Sequence, residues 1–155
     1  MITAWRLVKS RFVEHAFDGE GARLYGGRWN SPGAPVIYLS ATTSLAVLEV
    51  FANIQRSDLL ASYENLSCTF DESLLTRIEA RDLPANWRQS PAPAALQELG
   101  DEWLRRGRSV ALRVPSSIIE HEYNYLLNPL HTDFKRVKRS PPEPFAIDLR
   151  LIKEP

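Results

Sequence analysis

The sequence predicts an α+β domain, a mostly antiparallel β core with flanking helices. Three observations predict it. Leu66, Cys68 and Phe70 alternate with Asn65, Ser67 and Thr69, the period-two mark of a half-buried strand. Two stretches, Thr43 to Gln55 and Ala94 to Arg106, carry apolar residues at helical spacing. Strand-like and helix-like segments are intermixed without the regular strand–helix–strand rhythm of a parallel sheet.

Taken in order, Thr3–Val8 alternates as a first strand. Phe17 to Pro35 holds five of the seven glycines and reads as one long loop, a kind of segment that often carries function. Val36-Ile37-Tyr38-Leu39, bounded by Pro35 and Ser40, reads as a buried strand. Ser40 and Thr42 offer cap oxygens for the helix from about Thr43 to Gln55. Its apolar positions Leu45, Leu48, Phe51 and Ala52, widened by Val47, Val50 and Ile54, predict a largely buried helix. A strand follows from Tyr63, then a short one at Leu75–Glu79. A connector over 80–93 contains Pro84, Pro91 and Pro93. Leu96, Leu99 and Trp103 give the Ala94–Arg106 helix one apolar face. Gly100 weakens that helix by about 1 kcal/mol relative to Ala. Gly107 suits its stop, and Arg105 and Arg106 suit its C-terminal dipole. Val110–Val114 is a strand ended by Pro115, Asn128-Pro129 marks a turn, and a last strand is expected at Phe145–Leu151.

Composition narrows the function classes. The 155 residues are 44% hydrophobic and 25% charged, the make-up of one globular domain. Nineteen Lys plus Arg balance nineteen Asp plus Glu, so the long-range basic field of a dedicated nucleic-acid binder is absent. The single cysteine, Cys68, permits no internal disulfide and fits a reducing, cytoplasmic setting. No apolar run approaches the ~20 residues of a membrane span, and no signal peptide is apparent at the N-terminus.

Several familiar sites are missing. Gly19-Glu20-Gly21-Ala22-Arg23-Leu24 begins like a dinucleotide fingerprint but has Leu24 where the third glycine belongs. There is no phosphate loop. His121-Glu122 lacks the second histidine of a zinc-protease helix, and no metal-ligand spacing exists, so no metal is expected. Ser116 lies in Val-Pro-Ser-Ser, not in a nucleophile elbow.

Four segments carry chemistry worth weighing. In Gly26-Gly27-Arg28-Trp29-Asn30, paired glycines free the backbone beside a guanidinium that can grip a pyrophosphate bidentately, with the tryptophan covering a base or packing below. The same residues also suit a surface turn with an Arg–Trp stack. Glu49 stands inside the most apolar helix, either on a narrow solvent face or held in a cleft. Ser116–Asn128 sets hydroxyls and amides after a strand, where they read a ribose or an amide ligand, or else tie down a loop. Lys135, Arg136, Lys138 and Arg139 form a basic run that suits a solvated face, a phosphate or a partner.

These pieces, in this order, resemble the RES domain family. The likeness covers nearly the whole chain: Trp5-Arg6, the Gly-Gly-Arg28-Trp29-Asn30 loop, Val36-Ile37-Tyr38-Leu39-Ser40, Ala46-Leu48-Glu49, Val114-Pro115-Ser116 and Asn124-Tyr125-Leu126-Leu127-Asn128-Pro129. The resemblance implies a single RES-type domain over 1–155 with a fold related to ADP-ribosyltransferase toxins. It implies a toxin of a bacterial toxin–antitoxin pair that depletes NAD, with NAD as substrate rather than cofactor. It also implies an antitoxin partner with a helix-turn-helix DNA-binding part, so that DNA is met only through that partner. By position, Arg28, Glu49 and Ser116 match the residues that give the family its name, and Tyr38 matches an aromatic of the same cleft. Trp29, Asn124 and Asn128 join Arg28, Tyr38 and Ser116 as expected NAD contacts.

The chemistry of those residue types agrees. Breaking the nicotinamide–ribose bond develops an oxocarbenium-like cation. Ordinary glycosidases need a second carboxyl group as acid for the leaving group. Nicotinamide departs as a neutral molecule and needs no proton, so one carboxylate suffices. At about 4 Å from the cation, a carboxylate gains roughly 4 kcal/mol at an effective dielectric of 20, on the order of a thousandfold in rate. Arg28 would hold the pyrophosphate, Tyr38 would face nicotinamide and Ser116 would bond ribose or nicotinamide. Water or inorganic phosphate would be the acceptor. Two other readings stay open: ADP-ribosyl transfer onto a protein, and a non-catalytic interaction module built on the Arg28 loop and the basic run.

Overall fold

The computed structural model describes residues 1–152. Its first element, β1 (Ile2–Lys9), pairs along its whole length with β3 (Tyr63–Phe70). On its other side it meets β2 (Ile37–Ser40) at one register position, Trp5 opposite Ser40. The Arg6 side chain supplements that short contact by donating from Nη1 to the Tyr38 carbonyl at 2.7 Å. Among the described residues the sheet runs β4 (Leu75–Arg77), β5 (Ala111–Pro115), β6 (Tyr123–Leu127), β2, β1, β3, β7 (Lys138–Arg139), with β8 (Glu143–Phe145) also beside β3. Only β4 and β5 run parallel; the other pairs are antiparallel. The expected α+β class is what the chain adopts. No helix among the described residues is long and apolar enough to cross a membrane.

Among the described residues three α-helices accompany the sheet: α1 (Glu20–Tyr25), α2 (Thr43–Asn53) and α3 (Ala94–Arg106). Helix α3 has the predicted bounds, and Gly107 closes it at φ +57° as the C-terminal glycine should. Of the two cap oxygens offered to α2, Thr42 is the one used: its side chain accepts from Leu45 N at 3.0 Å. Helix α2 is less buried than its composition predicts. Leu45, Ala46 and Val47 face inward, while Leu48 is 40% exposed, because only one side of the helix rests on the sheet.

Three further expectations are corrected. The loop over 17–35 contains α1, too short to show a periodic stripe. Tyr123–Leu127, read as a polar segment after a strand, is the interior strand β6, between β5 and β2. Its Tyr125, Leu126 and Leu127 are all buried, so no alternation marks it: a strand covered on both faces carries apolar residues on both. The last strand is Glu143–Phe145, and Leu149–Leu151 turns instead as a single 3-10 turn.

Residues that pair across strands point to the same face, and this locates the cleft. One face is a continuous core that includes Ala4, Leu39, Leu66, Phe70 and Leu127. The other carries two separate apolar patches. In one, Leu96 and Trp103 of α3 pack on Leu112, Val114 and Leu126; in the other, Ala46 and Val47 of α2 pack on Leu7 and Tyr63. The strand positions left between the patches are Tyr38, Ser40 and Asn124, with Ser40 opposite Asn124 and Tyr38 opposite Leu126. A polar strip therefore runs between the two helices.

Candidate active site

Arg28 reaches this strip from a loop that α3 holds in place. Gly26, at φ +72°, turns the chain out of α1, and a Cβ on Gly27 would sit 2.6 Å from the Tyr38 hydroxyl. The glycine pair therefore lets the backbone lie directly on Tyr38. Tyr38 fastens it there: its hydroxyl accepts from Trp29 N at 3.1 Å and donates to Asn30 Oδ1 at 2.6 Å. Burial pushes the Tyr38 phenol well up from its ordinary value, against the lowering effect of the Trp29 N–H. It is a neutral hydroxyl at any physiological pH.

Asn30, 0% exposed, completes its own bonding by donating to the carbonyls of Ala22 and Ser31. From α3, Gln97 donates to the carbonyls of Gly27 and Asn30, each at 3.1 Å, and Asp101 accepts from Ser31 N at 2.9 Å. Gly100 explains itself here. A Cβ at that position would overlap the Trp29 carbonyl oxygen, so the glycine that weakens the helix is what allows it to lie against the loop.

The Arg28 guanidinium is partly buried and donates from Nη1 to the carbonyls of Trp87 and Gln89, at 3.1 and 3.0 Å. Burial lowers its pKa, and the nearby negative charge of Glu49 opposes that shift. Glu49 is thus an electrostatic neighbour of Arg28 across the cleft. It is half-buried on α2, and its Oε1 accepts from Asn124 Nδ2 at 2.7 Å. Asn124 Oδ1 in turn accepts from Ser40 Oγ at 2.8 Å. The structure brings together Arg28, Tyr38, Glu49 and Asn124, with Ser40 behind them.

Three other residues expected at the ligand are engaged differently. Trp29 is 2% exposed and packs below the loop with Leu96 and Trp103, so its ring is core and covers no base. Asn128 lies beyond the opposite end of β6 from Asn124, where its side chain accepts from Leu130 N. Four residues of extended chain separate the two, about 13 Å. Ser116 follows β5 on the cleft side but is 1% exposed, and its Oγ accepts from Ile118 N and Ile119 N, both at 3.1 Å. As the chain stands, that hydroxyl ties down a turn. Arg88 strengthens the same turn by donating to the Ser117 carbonyl, which links it to the connector that holds Arg28.

The RES domain model matches residues 3–148. The chain belongs to the RES domain family. A protein named Toxin Res from Yersinia enterocolitica is 40% identical over 148 residues, 95% of this chain and 97% of that protein. A protein of Sphingobium sp. named Prs ADP-ribosylating toxin is 30% identical over 155 residues, 97% of this chain and 96% of the other. The fold is shared with a chain in the crystal structure of the Mycobacterium tuberculosis MbcT–MbcA toxin–antitoxin complex. That match has a TM-score of 0.77 at 19% identity and covers 94% of this chain and 84% of that one. Sequence reasoning missed Ser40, Gln97 and Asp101, whose polar side chains look ordinary along the chain. Gly100 did carry a signal, since a glycine inside a strongly amphipathic helix calls for a packing reason.

Proposed function

We propose that this RES domain protein is the toxin of a toxin–antitoxin pair and cleaves NAD at the nicotinamide–ribose bond. The observation that carries the reading is the polar strip between α2 and α3, where Glu49 accepts from Asn124 and lies near enough to the Arg28 guanidinium for the two charges to be felt. Arg28 holds the pyrophosphate on the guanidinium edge that Trp87 and Gln89 leave uncovered. Glu49 faces the sugar carbon as positive charge develops on it. The C–N bond breaks, its electron pair leaves with nicotinamide, and water adds to the sugar, giving ADP-ribose and a proton. With inorganic phosphate as acceptor, the product is the ADP-ribose phosphate ester. The protein itself needs no metal or resident cofactor for this step.

The name of the Sphingobium relative supports a second acceptor, a protein side chain. The three outcomes separate in one experiment. Purified protein is incubated with NAD, with and without phosphate, and with cell extract. Free nicotinamide in both buffers marks hydrolysis, a phosphate requirement marks phosphorolysis, and label retained on protein marks transfer. Intact NAD under all three conditions would refute the reading.

A cytoplasmic enzyme of this kind must be restrained in its own cell. An antitoxin segment lying in the cleft would displace NAD from Arg28, and the toxin–antitoxin complex that shares this fold supports such a partner. Tyr25, 83% exposed and three residues before Arg28, and Leu48, next to Glu49, offer that segment apolar contacts. Because nineteen basic residues only balance nineteen acidic ones, operator binding falls to the partner's helix-turn-helix part.

A further inference from the structure

Asn124 spends its amide on the protein. Nδ2 donates to Glu49 Oε1 at 2.7 Å, and Oδ1 accepts from Ser40 Oγ at 2.8 Å. The two bonds fix which way the amide faces. A carboxylate only accepts, so the NH2 end must turn to Glu49, and the Ser40 hydroxyl then satisfies the carbonyl end. Ser40 is buried, and its backbone is paired on both sides, opposite Trp5 on β1 and opposite Asn124 on β6. The acid rides on a helix that is only half covered, yet one of its oxygens is bound to the centre of the sheet.

We propose that Asn124, oriented by Ser40, is a positioning residue for Glu49: it holds Oε1 and so presents Oε2 to the sugar. This rests on the NAD-cleaving reading and assigns to that site a residue pair that acts through Glu49. A carboxylate freed from Asn124 would sample rotamers that point away from the sugar. The loss falls on the chemical step, because Arg28 still binds the pyrophosphate.

Steady-state NAD cleavage by Asn124→Ala, Asn124→Asp and Ser40→Ala tests this. The expected result is a kcat lowered by about ten- to a hundredfold in both Asn124 variants, with KM within about twofold of wild type. Ser40→Ala loses less, about three- to tenfold, since it removes only the support of the amide. Asp fills the same space as Asn but puts an acceptor against an acceptor, so a packing role predicts that Asp behaves as wild type. Unchanged kcat in both Asn124 variants, a loss confined to KM, or an Asp variant equal to wild type would each overturn the proposal.

A second readout does not need the reaction. In protein labelled with 13C-glutamate, the Glu49 carboxylate resonance, assigned by its loss in Glu49→Gln, shifts in Asn124→Ala; an unmoved resonance overturns the positioning. If the wild type leaves NAD intact, the proposed function fails, and the resonance alone decides whether Asn124 holds Glu49.

Discussion

The two walls of the cleft are built differently. The α3 wall grips its loop through many fixed points: Gln97 on two carbonyls, Asp101 on Ser31, Tyr38 on Trp29 and Asn30, and Gly100 in direct contact with the Trp29 backbone. The α2 wall offers Glu49 from a half-exposed helix and ties it down through Asn124. The cation thus belongs to the folded scaffold, and the anion depends on a sparse set of contacts. Changes in the α3 wall should cost stability as well as activity, whereas changes around Glu49 should cost rate alone.

Gly100→Ala should break the α3 wall hardest. Overpacking usually costs about 1–3 kcal/mol, and a Cβ only 1.6 Å from the Trp29 carbonyl oxygen puts this site at the top of that range, about 2 kcal/mol beyond the roughly 1 kcal/mol that alanine returns in helix propensity. A thermal melt should fall by about 3–8 °C, with NAD cleavage falling alongside. An unchanged midpoint would make the two walls equally tolerant and end the contrast.

Arg28→Lys sharpens the contrast. It keeps the charge but loses the planar guanidinium, whose Nη1 bonds the Trp87 and Gln89 carbonyls and whose other edge is left for the pyrophosphate. KM for NAD should rise by about tenfold, with a smaller loss in kcat. Equal losses in both would move Arg28 from binding to the chemical step. The smallest effect is expected at Asn128→Ala, which removes the turn bond to Leu130 N. Stability should change by no more than about 1 kcal/mol, and kcat and KM should stay at wild-type values. A raised KM would bring that residue back to the ligand.

How much was legible in the sequence follows the same physics. The α3 bounds were readable because the helix has one dry face, one wet face and a terminal glycine. The β3 alternation was readable for a similar reason. β6 was hidden because both its faces are covered, and α1 because a six-residue helix has no period to display. Within the site, Arg28 and Glu49 stood out as charged groups beside glycines or inside an apolar run, Tyr38 came with the family resemblance, and the fold brings the three together. Ser116, Trp29 and Asn128 carry side chains just as suited to a ligand. Whether such a group faces the cleft, fills the core or ties down a turn depends on strand ends and register, which residue type does not encode. Asn124 and Asn128 make the point: the same side chain, four residues apart, at opposite ends of one strand.

The central claim is that Glu49 stabilises the developing sugar cation. Its most direct test is kcat for nicotinamide release by Glu49→Gln at saturating NAD, with the melting temperature measured in parallel. Glutamine keeps the shape and an oxygen for Asn124 while removing the charge. The predicted result is a loss on the order of a thousandfold in an otherwise intact fold. A charge-free variant that releases nicotinamide at the wild-type rate would contradict it.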